Sequence, residues 1–186
     1  MVDPFYGRER ELGILKELLD SNSARLVVLR GRRRIGKSRL AEQFGKSFTK
    51  HFTFVGLPPE EGVTDEIQRR HFANELEKQT NQLSLRFDDW DFLFASLGRA
   101  VQQGKVLVVF DEINWMGSLD PAFLGKLKTA WDVHFKKNPN LVLLLSGSMS
   151  AWIEKHILRS TGFFGRIAID LVLQELPLYQ CSHFWR

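Results

Sequence analysis

One cysteine occurs in 186 residues, Cys181, which excludes an intramolecular disulfide and any metal site built from clustered cysteines. That scarcity fits a reducing, cytoplasmic compartment. No apolar run approaches the eighteen or so residues of a membrane span, and the N-terminus has no signal-peptide pattern, so a soluble chain without a membrane partner is expected. The five histidines, at 51, 71, 134, 156 and 183, show no ligand spacing, so no bound zinc is expected. Gly147-Ser148-Met149-Ser150-Ala151 fails the nucleophile-elbow pattern, so a serine hydrolase is unsupported. Acid is missing from residues 30 to 39. Six of the 26 basic residues fall there, leaving 20 basic against 22 acidic residues elsewhere. The net charge of +4 is therefore local, a field suited to a polyanion more than a spread nucleic-acid face.

What is present is core material: 44% hydrophobic residues, with fifteen Phe and five Trp, enough for one well-buried domain and too little for two. The basic stretch itself reads Gly31-Arg32-Arg33-Arg34-Ile35-Gly36-Lys37-Ser38, followed by Arg39. Its G-x-x-x-x-G-K-[ST] spacing is that of a phosphate-binding P-loop. Two glycines let backbone N–H groups turn inward onto phosphates, Lys37 reaches the β and γ phosphates, and the Ser38 hydroxyl ligates Mg²⁺. The pattern arises by accident in about one chain in a hundred of this length. Context narrows that further, because an apolar run at 25–29 precedes it and Leu40, Ala41, Phe44 and Phe48 follow at helical spacing.

Taken in order, Pro4 to Glu11 lead into a helix striped by Leu12, Leu15, Leu18 and Leu19. Phe5, Tyr6, Gly7 and Arg8 are placed to line an adenine pocket, with helix stapling the alternative use of the aromatics. His51 to Val55 reads as a second strand. Thr64 caps a polar helix with Ile67, Phe72 and Leu76 inward, and Asp88 caps another bearing Trp90, Leu93, Phe94, Leu97 and Val101. Val106 to Phe110 is apolar on both faces, which predicts a central parallel strand, and ligands of such sheets bind at the carboxyl ends of strands. Asp111 is then placed to hold Mg²⁺ through water, and Glu112 to orient and deprotonate the water that attacks the γ-phosphate. A loop is expected over 114–119 and a helix from Asp120-Pro121 with Leu124, Leu127, Trp131 and Phe135 on its face. Leu141 to Leu145 predicts another buried strand. Ser148 beyond it, with Ser146 in reserve, is a candidate sensor of the γ-phosphate, although serines here also suit capping of a helix over 150–158. A last strand covers Ile167 to Leu173, preceded by Gly165-Arg166, whose guanidinium could neutralise transition-state charge or stand as a surface arginine.

Phe5 to Glu11, the P-loop with its arginines, Val108 to Glu112, Ser146-Gly147-Ser148 and Gly165-Arg166 together resemble the archaeal-type ATPase domain of the STAND class of P-loop NTPases, relatives of the AAA+ proteins. The resemblance runs from about Phe5 to Leu178. It implies an α/β three-layer P-loop NTPase fold, a five-stranded parallel sheet in the order 5-1-4-3-2 with helices on both faces. It also implies ATP and Mg²⁺ as ligands, and regulated hydrolysis to ADP coupled to conformational change. By position Gly31, Gly36, Lys37 and Ser38 match the phosphate loop, Asp111 and Glu112 the Mg²⁺ and water pair, Ser148 the sensor, and Arg166 the Gly-Arg motif. Members of the class continue into a helical lid and a C-terminal region through which protein or DNA partners act. Residues 1–178 are accordingly expected to form the ATPase domain and 179–186 to begin that lid, and a chain without it is expected to bind weakly. Three other functions stay open: a nucleotide-binding module without significant turnover, a small-molecule P-loop kinase, and a nucleic-acid-binding module using Arg30, Arg32, Arg33, Arg34 and Arg39.

Overall fold

A computed structural model describes residues 5–82, 85–148 and 151–181. Five strands, β1 (Arg25–Gly31), β2 (Lys50–Val55), β3 (Val106–Asp111), β4 (Leu141–Ser148) and β5 (Ile167–Leu173), form one sheet in the order β2-β3-β4-β1-β5. All neighbours are parallel. This is the 5-1-4-3-2 order expected from the sequence, read from the other edge. Connections run through α1 (Glu9–Glu17), α2 (Lys37–Gly45), α3 (Asp65–Thr80), α4 (Trp90–Ala100), α5 (Ile113–Gly117), α6 (Phe123–Val133), α7 (Ala151–Ile153, continued as a π-helical turn over Glu154–Leu158) and α8 (Leu178–Cys181).

Alternation along the strands sends side chains to two cores. Val27, Leu29, Leu107, Val109, Val142 and Leu144 pack with Leu15 of α1 and Leu40, Ala41 and Phe44 of α2. Leu26, Val28, Val106, Val108, Phe110, Leu143 and Leu145 face the larger core under α3, α4 and α6. Strands covered on both faces read as continuous apolar runs, which is why β3 and β4 were legible without alternation. Rings fill the larger core: Phe54 stacks on Phe72 with centroids 4.2 Å apart, and Trp90 stacks on Phe94 at 5.4 Å. At the β2 edge, Gln79 of α3 accepts from Thr53 N and donates to Thr53 O, both at 2.9 Å, so a side-chain amide covers backbone groups that an edge strand leaves open.

Four local expectations are corrected. Asp89, one residue later than Asp88, caps α4 by accepting from Asp91 N at 2.7 Å. Ile67 is exposed, and the inward position on that turn of α3 belongs to Gln68. Residues 113–117 are helical where a loop was read, because Glu112 adopts a left-handed conformation that starts α5 at once. Pro121 lies in a turn before α6, whose first buried residue is Phe123, while Asp120 accepts from Ala122 N. Ser150, considered as a cap for the helix after β4, lies outside the described residues.

Candidate functional site

The P-loop joins β1 to α2 at the carboxyl end of the sheet. Gly31 has no room for a side chain: a Cβ there would stand 2.9 Å from the Leu173 carbonyl oxygen and 3.0 Å from Ile35. Gly36 is required for another reason, its φ of +97°, and a Cβ on it would face open space. Lys37 is 5% exposed, and its ammonium donates to the carbonyls of Gly31 and Arg32, both at 3.1 Å. The loop is thereby curled around its own lysine.

Opposite it, the end of β3 supplies two acids with different environments. Asp111 is buried, and accepts from the Ser38 hydroxyl at 2.6 Å and from the Glu112 backbone N–H at 3.0 Å. A hydroxyl and a carboxylate brought together by α2 and β3 are the hard oxygen donors that Mg²⁺ takes beside substrate phosphates, so these residues fit the ion. Glu112 has φ 50° and ψ 48°, an uncommon conformation for a residue with a side chain. Burial, first of all, raises its carboxyl above the ordinary range; Lys37 opposes this, Asp111 adds to it, and Arg33 and the Ser148 backbone N–H act to lower it.

Ser148 pairs in register with Gly31, so β4 ends beside the phosphate loop. Ser146 is fully buried on the same strand, and its hydroxyl has no partner among the described residues. Gly7 (φ +72°) and Arg8 (φ +66°) turn the chain into α1. Arg8 is 5% exposed and donates to the Ile35 carbonyl at 3.1 Å and to Glu11 at 3.1 Å, tying the N-terminal segment to the P-loop. Phe5 packs against the α1 and α2 core, as the stapling use requires, whereas Tyr6 is exposed. An open cleft beside the loop is lined by Arg32, Ile35, Leu173, Gln174 and Glu175.

Residues 4–144 match the family model described as AAA ATPase domain. The chain belongs to that family. A Methanocaldococcus jannaschii protein bearing only the name "uncharacterized protein" is 28% identical over 181 residues, covering 97% of this chain and 38% of that one. Among solved structures, the Walker-type ATPase PABY2304 of Pyrococcus abyssi superposes with a TM-score of 0.70 at 22% identity, over 97% of this chain and 57% of its own. The ADP form of the Aeropyrum pernix ORC2 protein gives 0.70 at 15% identity, over 100% of this chain and 52% of its own. The Aeropyrum pernix ORC1 protein, solved in complex with DNA, gives 0.61 at 16%, over 97% and 48%. These likenesses establish the fold, and the chain spans well under two thirds of each relative. No described helix is long and apolar enough to cross a membrane.

In this AAA domain the arginine cluster is less free than its sequence suggests. Arg30 is clasped by Asp170 through two contacts of 2.8 Å and reaches Glu154 at 3.4 Å. Arg32 pairs with Glu175, Arg39 with Glu42, and Arg33 lies over the Trp115 ring at 5.2 Å. Acids absent from residues 30–39 are thus returned by β5, the segment after it, α2 and the π-helical turn of α7, which weakens the reading of a nucleic-acid face built on these side chains. Arg34 is exposed with φ +61°.

The expectation for Arg166 also needs correction. It precedes Ile167, which pairs with Leu26 at the start of β1, so it lies at the amino end of the sheet, away from Gly31. There it forms a two-pronged pair with Asp132 at 2.8 and 3.2 Å. Within one chain this guanidinium cannot reach phosphates held at the opposite end.

Three residues that sequence reasoning passed over stand behind Glu112. Gln68, 2% exposed, accepts from Leu57 N at 3.1 Å and donates to Leu57 O at 2.7 Å and Trp115 O at 3.3 Å, fastening the segment after β2 to α5. Trp115 carries Arg33 on its ring, and Asn114 sits against Gly147. A polar residue at an inward helical position was the available signal for Gln68; nothing local marks the other two.

Proposed function

We propose that this chain binds Mg-ATP at the P-loop and hydrolyses it to ADP and phosphate, the exchange of nucleotide driving a conformational switch. The observation that carries the reading is the contact between Ser38 and Asp111, which brings the loop and the end of β3 together with Lys37 and Glu112 at hand. Lys37 exchanges its carbonyl partners for β and γ phosphate oxygens, and backbone N–H groups from Arg32 to Ser38 take the rest. Arg8 holds the loop from the N-terminal side, and the cleft at Ile35 and Leu173 receives the base side of the nucleotide. Mg²⁺ at Ser38 and Asp111 would draw charge from the phosphates. Glu112 takes a proton from water as its oxygen bonds the γ-phosphorus, and the bond to the β,γ-bridging oxygen breaks with its electron pair leaving on ADP. Ser148, paired in register with Gly31 at the end of β4, is the sensing residue.

Within the family the chain acts as a STAND-class archaeal-type ATPase, in the cytoplasm. A protein or DNA partner would engage segments that the longer relatives carry beyond the shared domain; the ORC1 relative was solved with DNA. The test is phosphate release and binding of a fluorescent ATP analogue by the chain, Lys37→Ala and Glu112→Gln. Lys37→Ala abolishes binding and Glu112→Gln binds without turnover. Phosphate release that survives Glu112→Gln would overturn the assignment of the base.

A further inference from the structure

Two neighbouring arginines leave the phosphate loop in opposite directions. Gly31 pairs with Ser148 of β4 on one side and with Leu173 of β5 on the other. Arg32 turns to the β5 side, where Glu175 takes its guanidinium at 2.9 Å. Arg33 turns the other way, and its guanidinium stands 5.2 Å from the centre of the Trp115 ring on α5. That ring is a fixed platform. The Trp115 backbone N–H donates to the Glu112 carbonyl at 2.8 Å, its carbonyl accepts from Gln68 and Ser118, and its Cβ lies 3.2 Å from where a Cβ on Gly56 would stand. Arg33 itself is exposed, and the partner it meets there is a neutral ring. Burial raises the Glu112 carboxyl, and the two positive charges that oppose this belong to Lys37 and Arg33, so both cations act on the acid just past β3.

We propose that Arg33 selects a triphosphate over a diphosphate, parked on Trp115 until a γ-phosphate is present and then pairing with it; this depends on the nucleotide-binding reading above. In that reading the γ-phosphate lies at the end of β3, toward Asp111 and Glu112, and the base lies toward Leu173 and Glu175. Arg33 is thus on the side of the last phosphate, and Arg32 on the side of the base. A guanidinium over an exposed ring face gains little, because water competes for the charge. A phosphate offers two oxygens to the guanidinium fork, in a charge-assisted pair that is shorter and stronger. The exchange therefore favours the phosphate. ADP ends at the β-phosphate, which Lys37 and the loop N–H groups hold, so it leaves Arg33 on the ring. Trp115 is uncovered only by the longer ligand, which makes its indole a reporter of phosphate number.

The test compares Mg-ADP with a non-hydrolysable Mg-ATP analogue on the wild-type chain and Arg33→Gln. The expected result is that Arg33→Gln lowers affinity for the analogue about tenfold or more, the loss of one charge-assisted contact, and leaves ADP within about twofold. Retained ADP binding also shows that the variant is folded. Trp115 supplies a second readout. The emission of wild type minus that of Trp115→Phe should change on adding the analogue and stay fixed on adding ADP. Equal loss of both ligands, unchanged affinity for the analogue, or the same emission change with either ligand overturns the inference and leaves the nucleotide reading intact. A wild-type chain that binds neither ligand overturns that reading, and the inference with it.

Discussion

Ser38 on the P-loop helix donates its hydroxyl proton to Asp111 at the end of β3 across 2.6 Å, although 73 residues separate them in sequence. The contact closes the phosphate loop onto the acid that would share its metal. Ser38→Ala should raise the Mg²⁺ concentration needed for half-maximal binding of the ATP analogue about tenfold or more, since removing one support of a metal site costs 10 to 100-fold in affinity. Titration of Mg²⁺ at fixed nucleotide checks this, and an unchanged Mg²⁺ requirement would remove Ser38 from the site.

Phe72 is 2% exposed and meets Phe54, Trp90, Phe94 and Phe110 within the larger core. Phe72→Ala should destabilise the domain by about 3–5 kcal/mol, the ordinary cost of emptying an aromatic site that cannot collapse. Urea unfolding reads the difference as a lowered midpoint.

Gln68→Leu leaves both backbone groups of Leu57 without their side-chain partner. A loss of about 1–3 kcal/mol follows from buried groups left unpaired. Hydrogen exchange should quicken at Leu57 N–H before it does in β3. Protection equal to wild type there would show the segment to be held by something else.

Asp132 takes contacts from Arg166, Lys128 and Lys136, and the Arg166 hydrogen bond, first among these, holds its carboxyl well below the usual aspartate range. A depressed carboxyl contributes stability that is present above its unfolded pKa of about 3.9 and is lost as pH falls through the folded value. Asp132→Asn should therefore lower stability at pH 7 by about 0.5–1 kcal/mol, a figure kept small because the pair is largely solvated, and the gap should narrow below about pH 4. Arg166→Ala should show the same pH dependence with nucleotide affinity within about twofold of wild type, as its place at the amino end of the sheet requires.

The sheet was legible because β3 and β4 are apolar on both faces, and a strand buried that way leaves little choice of position. The P-loop was legible because its glycines and lysine are dictated by backbone geometry within eight residues. Arg166 was misjudged for a reason of distance: spacing along the chain says that it precedes a strand, while only register with Leu26 says which end of the sheet it occupies. The arginine cluster was legible but its counter-charges were not, since Asp170 and Glu175 come from β5 and the segment after it. Asn114, Trp115 and Gln68 were silent because each acts through a neighbour brought close by the crossover of strands, and no local period records that.

Lys37 meets its own loop in this structure, bonded to the carbonyls of Gly31 and Arg32. On the proposed reading a phosphate displaces two backbone acceptors, and the affinity measured for a nucleotide is then the difference between two satisfied states. A ligand whose phosphates stop short of the ammonium would gain nothing from the one buried charge among those of the loop, so selection by phosphate number would begin as competition inside the protein.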